Sequence, residues 1–260
     1  MRTLDVQRLR RMATAPGIGP FLALLLTMAF FSLKSDRFLQ AQNLSLVMQQ
    51  VMVVGVLAIG QTLVILTAGI DLSCGTVMAL GQIVMTKLAV ANGVPALPAI
   101  ALGILTCVGF VLMLVLYAVA WFALSQTAWG RHVYAVGDDR EAARLTGIKT
   151  QRVMLSVFAI AGLTYGIAAM LLVARTELGD PNAGQTTENL DSITAVVLGG
   201  TSLFGGRGSV IGSLIGATIV GVFRNGLTLI GVEVIYQYLV TGILVILAVS
   251  VDQLTHRRRV

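Results

Sequence analysis

From Ile18 to Leu33 the chain carries no charged side chain, and runs of this kind recur along most of its length. A bilayer asks for about 20 predominantly apolar residues per helical crossing, which fits such runs. Candidate spans cover roughly 17–33, 44–68, 74–91, 97–124, 153–174, 189–204, 209–230 and 234–252, each bounded by charge or turn residues. Only 12% of the residues are charged, against ~25% in an ordinary soluble domain. The expected fold class is an all-α polytopic membrane protein of about eight transmembrane helices, broken or half-helices included. One transmembrane domain takes up residues 1–260 and leaves almost no chain for an appended ATPase, kinase or binding domain.

Charge sets the expected sidedness. With the N-terminus inside, the segments 1–16, 125–152, the turn at Arg207 and the tail after 252 hold 13 of the 18 Lys and Arg residues, as cytoplasmic loops do. Lys34, Arg37 and Arg175 fall on the other side, and Lys87 and Arg224 lie within or near span ends, where long side chains snorkel. Eight crossings then return both termini to the cytoplasm. The N-terminus resembles a signal peptide, but Lys34-Ser35-Asp36-Arg37 follows without a small-residue cleavage pattern, so it reads as an uncleaved span. No basic patch interleaved with aromatics points to nucleic acid. Cys74 and Cys107 lie in apolar stretches, and His132 and His256 lack ligand partners, so neither a disulfide framework nor a metal site is expected.

Three places break the pattern. Ala68-Gly69-Ile70-Asp71-Leu72-Ser73 puts a glycine and a carboxylate between two apolar runs, where backbone unwinds only if protein or water satisfies it. Segment 189–204 is short and ends in Gly199-Gly200, then Gly205-Gly206-Arg207-Gly208, the pattern of a half-helix or tight hairpin. The run 97–124 spans ~42 Å as a helix, too long for one ordinary crossing and too short for two with a turn.

Each candidate has a plain reading beside a functional one. Gly130 to Arg152 is the sizeable polar stretch, with Asp138 or Asp139 able to cap a short helix, Glu141 near its positive end and Gly147 able to end it. It is either a connector or a docking element. Asp71 is either a functional intramembrane carboxylate or an N-cap for a helix starting near Ser73. Gln49, Gln50, Gln61 and Thr62 could meet the hydroxyls of a polar solute or bond to neighbouring helices. The glycines at 205, 206, 208 and 212 lack the strand and the Gly-Lys-Ser/Thr of a phosphate loop, so ATP binding is not expected. Gly162-x3-Gly166 and Gly212-x3-Gly216 fit close helix packing in lipid. No catalytic triad or paired catalytic carboxylates can be assembled on one side of the membrane.

The stretches TAGIDLSCGTVMAL (67–80), GRHVYAVGDDREAARLTGI (130–148) and AVVLGGTSLFGGRGSVIGSLIGA (195–217) resemble the permease subunits of bacterial ABC importers for monosaccharides, the ribose/xylose/fructose type. The resemblance covers most of the chain. It implies a coupling helix that docks in a groove of a separate ATPase subunit, carried here by Glu141, Ala142, Ala143 and Gly147, flanked by Asp138, Asp139 and Arg144. It implies a homodimer in the inner membrane, fed by a periplasmic sugar-binding protein, with no cofactor and no catalysis in this chain. Gln50, Gln61, Thr62, Asp71 and Ser73 are the expected pathway residues, and Gly69, Gly199, Gly200, Gly205, Gly206 and Gly208 the expected helix breaks or hinges. The family normally carries about ten spans and about sixty more residues, and the shortening is expected within 97–124, near Gly109-Phe110-Val111. The competing readings are an ion-coupled secondary transporter, for which Asp71 alone is a poor relay, and a shortened permease that assembles as a scaffold without transporting.

Overall fold

The computed structural model of the chain describes residues 18–75, 77–79, 97–176 and 187–257. The expected span 74–91, the basic N-terminal segment and the end of the basic tail fall largely or wholly outside these residues, as do the side chains of Cys107 and His256. Among the described residues the long elements are helices: α1 (Ile18–Lys34), α2 (Ala41–Leu66), α3 (Leu97–Gln126), α4 (Ala128–Asp138), α5 (Arg140–Leu145), α6 (Thr150–Thr176), α7 (Thr187–Leu198), α8 (Val210–Leu229) and α9 (Val234–Arg257). By length and apolarity α2, residues 150–173 of α6, and α8 can each cross a membrane alone. Residues 111–126 of α3 and the following α4 make a fourth if that pair, bent by 75°, is one broken span. The long run at 97–124 is a single helix of 30 residues, roughly 45 Å.

α2 is the axis of the molecule. It is rich in valine, which is indifferent to helix in water, but in lipid a spanning segment must satisfy its own backbone hydrogen bonds. An all-round apolar surface suits a helix enclosed by others, and every residue from Val51 to Leu66 is buried. α6, α8, α7 and α3 pack around it, and α1 lies against α8. Small residues set how close these helices come. Gly60 faces Thr164 and Tyr165 of α6, Gly55 faces Met113 and Tyr117 of α3, and Gly226 of α8 receives the ring of Phe31. That ring also stacks near Phe38 and Phe223, with centroids 5.8 and 5.7 Å away. A buried amide pair crosses α2 and α8, Asn43 donating to Asn225 Oδ1 at 2.9 Å and to the Phe38 carbonyl at 2.8 Å.

The two small-residue stripes behave differently. At Gly212 and Gly216 the backbone of α8 presses on Gly199 and Ala195 of α7 so closely that no Cβ fits. At Gly162 and Gly166 nothing lies within 4 Å among the described residues. For that second stripe the described residues supply no close neighbour: a four-residue spacing fixes a common face, not the presence of a partner.

Candidate functional site

The polar stretch after α3 folds as two short helices. Thr127 caps α4, its hydroxyl accepting from the Gly130 amide at 3.2 Å. Asp139, rather than Asp138, caps α5, its Oδ1 accepting from the Glu141 and Ala142 amides at 2.9 Å. Glu141 then sits in the first turn and Arg144 in the last, where each suits the helix dipole. Their mutual ion pair of 3.0 Å is exposed at 72% and 68%, so it adds little to folding. Gly147 ends the helix at φ +89°, with its amide on Arg144 O and that of Ile148 on Ala143 O. That is a Schellman closure, and it needs a left-handed residue. Ala143 is buried against the bundle, whereas Ala142, Gly147 and the 83% exposed Leu145 face outward. The helix is thus seated on one side and bare on the other.

The C-terminal end of α4 is where the expected docking helix meets both expected breaks. Gly137 lies so close to the Leu66 carbonyl that a Cβ would overlap it. The Gly206 amide donates to that same carbonyl at 3.0 Å, and a Cβ on Gly205 would meet Gly137 O at 2.6 Å. Tyr134 of α4 donates to Gly208 O at 3.1 Å. Gly205, Gly206 and Gly208 all have positive φ, at 84°, 68° and 151°. Three backbone strands of the polypeptide therefore meet with glycine at the contacts: the end of α2, the end of α4 and the 205–208 turn.

At two of the expected breaks the left-handed residue is a neighbour of the expected glycine. α2 ends with the Gly69 amide on Val64 O and the Ala68 amide on Ile65 O, again a Schellman closure, but the left-handed residue is Ala68, at φ 58°, not Gly69. An L-residue there costs about 1 kcal/mol or more. Ala68→Gly is accordingly expected to raise the thermal midpoint of the detergent-solubilised protein, and an unchanged or lower midpoint would show that the strain is compensated. Gly199, in the turn just past α7, still donates its amide to Ala195 O at 2.9 Å and lies against Gly212 of α8; the left-handed closure falls on Gly200, at φ 84°. Segment 189–204 holds the end of α7, a short helix of twelve residues, followed by a turn.

The broken stretch after α2 is held by a buried polar network. Asp71 Oδ1 accepts from the Ser73 amide at 2.7 Å and its hydroxyl at 2.6 Å, the bonding of a cap. Gln61 donates to the Asp71 carbonyl at 2.8 Å, satisfying unwound backbone. Cys74 Sγ donates to Asn189 Oδ1 at 2.8 Å, and Asn189 donates to Leu72 O at 3.1 Å, tying the break to α7. Thr62 bonds to Ser213 of α8 at 2.6 Å. Gln50 stands apart from these. Reading the sequence alone missed Asn189, Gly137 and the ion pair between Asp191 of α7 and Arg224 of α8, 2.7 Å long. An aspartate and an arginine in neighbouring apolar runs were the available signal for that pair.

Residues 106–249 match the family described as branched-chain amino acid transport system / permease component. The chain is 34% identical to the fructose import permease protein FrcC of Rhizobium meliloti, over 92% of this chain and 86% of the relative. It is 34% identical to the ribose import permease protein RbsC of Bacillus subtilis, over 91% and 92%. A further match, 47% identical over 137 residues, is to the xylose transport system permease protein XylH of Escherichia coli, covering 53% of this chain and 35% of the relative. No solved structure matches. The first alignment runs over 310 residues, more than the 260 of this chain, so the relative holds residues with no counterpart here.

Proposed function

Since this chain belongs to the family of import permeases that includes the ribose and fructose permeases, we propose that it is the membrane subunit of an ATP-driven monosaccharide importer. The observation that carries the reading is the likeness to the ribose and fructose import permeases along nine-tenths of the chain. The subunit performs no covalent chemistry. It works as a pair in the inner membrane, takes sugar from a periplasmic binding protein and alternates between outward- and inward-open states as a separate ATPase closes on ATP. Its termini face the cytoplasm.

The docking element is α5. Its capped, bare outer face suits insertion into a groove on the ATPase, and its seated face, through Ala143, suits transmission of force to α4. From α4 the glycine contacts lead to the end of α2 and to the turn before α8. Two broken elements joined to one handle support alternating access better than an ion relay, because Asp71 is occupied in local capping. The shortening relative to the family falls within 97–124; the family match that begins at residue 106, inside α3, supports this.

Vesicles reconstituted with the permease, its ATPase and its binding protein are expected to accumulate labelled ribose, xylose or fructose only with ATP. Uptake that ignores ATP and collapses with the ion gradient would establish a secondary transporter instead. A complex that assembles and hydrolyses ATP but moves no sugar would establish the scaffold reading.

A further inference from the structure

Between α2, α6, α7 and α8 lies a cavity of about 250 Å³, room for about eight waters at ~30 Å³ each in the liquid. Val53 and Val220 supply apolar wall, and Gln50, Glu188, Asp191 and Arg224 supply polar groups. The Gln50 Oε1 is buried and has no hydrogen-bond partner among the described residues, a costly state unless something else fills the place. Asp191, only 5% exposed, accepts from Arg224 Nη1 at 2.7 Å. The pair is therefore internally neutral. Its carboxylate retains acceptor capacity and its guanidinium retains further N–H donors.

We propose that this cavity is a monosaccharide subsite inside the membrane domain, with Gln50, Asp191 and Arg224 as its polar face. The inference rests on the functional reading above and adds the place where the sugar pauses. A sugar ring offers vicinal hydroxyls that both donate and accept, and a C–H face that is apolar. Gln50 Oε1 accepts a hydrogen bond from a hydroxyl, the Asp191–Arg224 pair meets a donor and an acceptor on adjacent carbons, and the valines cover the C–H face. A neutral polyol leaves the ion pair intact, whereas a charged substrate competes with it.

The location agrees with a loading site. Gln50 and Leu66 are about 24 Å apart along α2 at 1.5 Å per residue, so the cavity lies in the half of the bundle remote from α5. Toward α5 the backbones of α7 and α8 touch at Gly199 and Gly212 and at Ala195 and Gly216. That contact closes the bundle between the cavity and the glycine turn.

The test uses the full complex in vesicles with labelled ribose, xylose and fructose. Gln50→Leu removes the unpaired acceptor and keeps an apolar helix surface, so the protein should insert and bind its ATPase as before. Uptake is expected to fall at least tenfold, with partial recovery in Gln50→Asn. In parallel, Gln50→Cys should react with a small methanethiosulfonate, and the transported sugar should slow that reaction severalfold. Uptake by Gln50→Leu within twofold of the parent, or labelling that no transported sugar slows, overturns the subsite while leaving the functional reading in place. Protection by leucine rather than by a sugar also overturns it. A parent complex with no ATP-dependent uptake of any of the three sugars removes both.

Discussion

Adding one methyl group at Gly137 is expected to reduce ATP-dependent sugar uptake below a tenth of the parent value. The new Cβ of Gly137→Ala overlaps the carbonyl of Leu66, and the Gly206 amide that donates to that carbonyl is only 2.7 Å away. These are backbone atoms on both sides, so no side chain can swing aside. Either α4 withdraws from the end of α2, or the 205–208 turn loses its bond to Leu66 O. Overpacking of well-packed interiors costs typically 1–3 kcal/mol, and a contact locked between main chains belongs at about 3 kcal/mol. The detergent-solubilised protein is expected to melt earlier, and in vesicles the uptake per ATP hydrolysed is expected to fall. Gly162→Ala is the matched control, because a Cβ there meets nothing within 4 Å among the described residues. If both variants transport alike, the junction does not link the docking helix to the moving spans.

That junction also marks where reading the sequence stops. Position and type of the long apolar helices follow from runs without charge, and α2 and α8 lie close to their expected bounds. Local closures are legible as well: Asp139 and Gly147 flank α5 because capping and left-handed turns depend on neighbours in sequence. The end of α2 is instructive: a glycine at 69 marks a break in the sequence, but the left-handed residue that closes the helix is Ala68, one position earlier. Contacts between distant segments are a different matter. Gly137 meets Leu66 and Gly206, Asp191 meets Arg224, and Cys74 meets Asn189, each pair set by how helices cross, not by any spacing along the chain. Gly162 and Gly212 begin identical motifs, yet only the second has a close neighbour among the described residues. Periodicity assigns a face; packing decides what meets it.

The outward side of α5 provides the second large effect. Gly147→Trp is expected to cut co-purification of the ATPase at least tenfold while leaving the amount of permease in the membrane unchanged, and Glu141→Lys to do the same. At Gly147 the backbone sits at φ +89°, where an L-residue costs about 1–2 kcal/mol, and the indole adds bulk to a bare surface. Glu141→Lys reverses the charge at the positive end of the helix and replaces the attraction to Arg144 by repulsion. Neither change should unfold the bundle, since the Glu141–Arg144 pair is mostly in solvent and a Cβ at Gly147 meets nothing within 4 Å among the described residues. Leu145 separates docking from helix stability. At 83% exposure it contributes little to the isolated permease, but an apolar side chain presented on a polar segment contributes substantially once a partner covers it. Leu145→Ala should therefore weaken ATPase binding about tenfold, or about 1.4 kcal/mol, with no change in melting. Truncation at Asp139 is the converse: Asp139→Ala leaves the outer face chemically intact but removes a cap worth about 1 kcal/mol. It should lower affinity by fraying α5, and its effect should be recovered by Asp139→Ser, which restores a capping oxygen. Full ATPase binding by both the Gly147 and Leu145 variants, with uptake intact, would show that the partner engages some other surface.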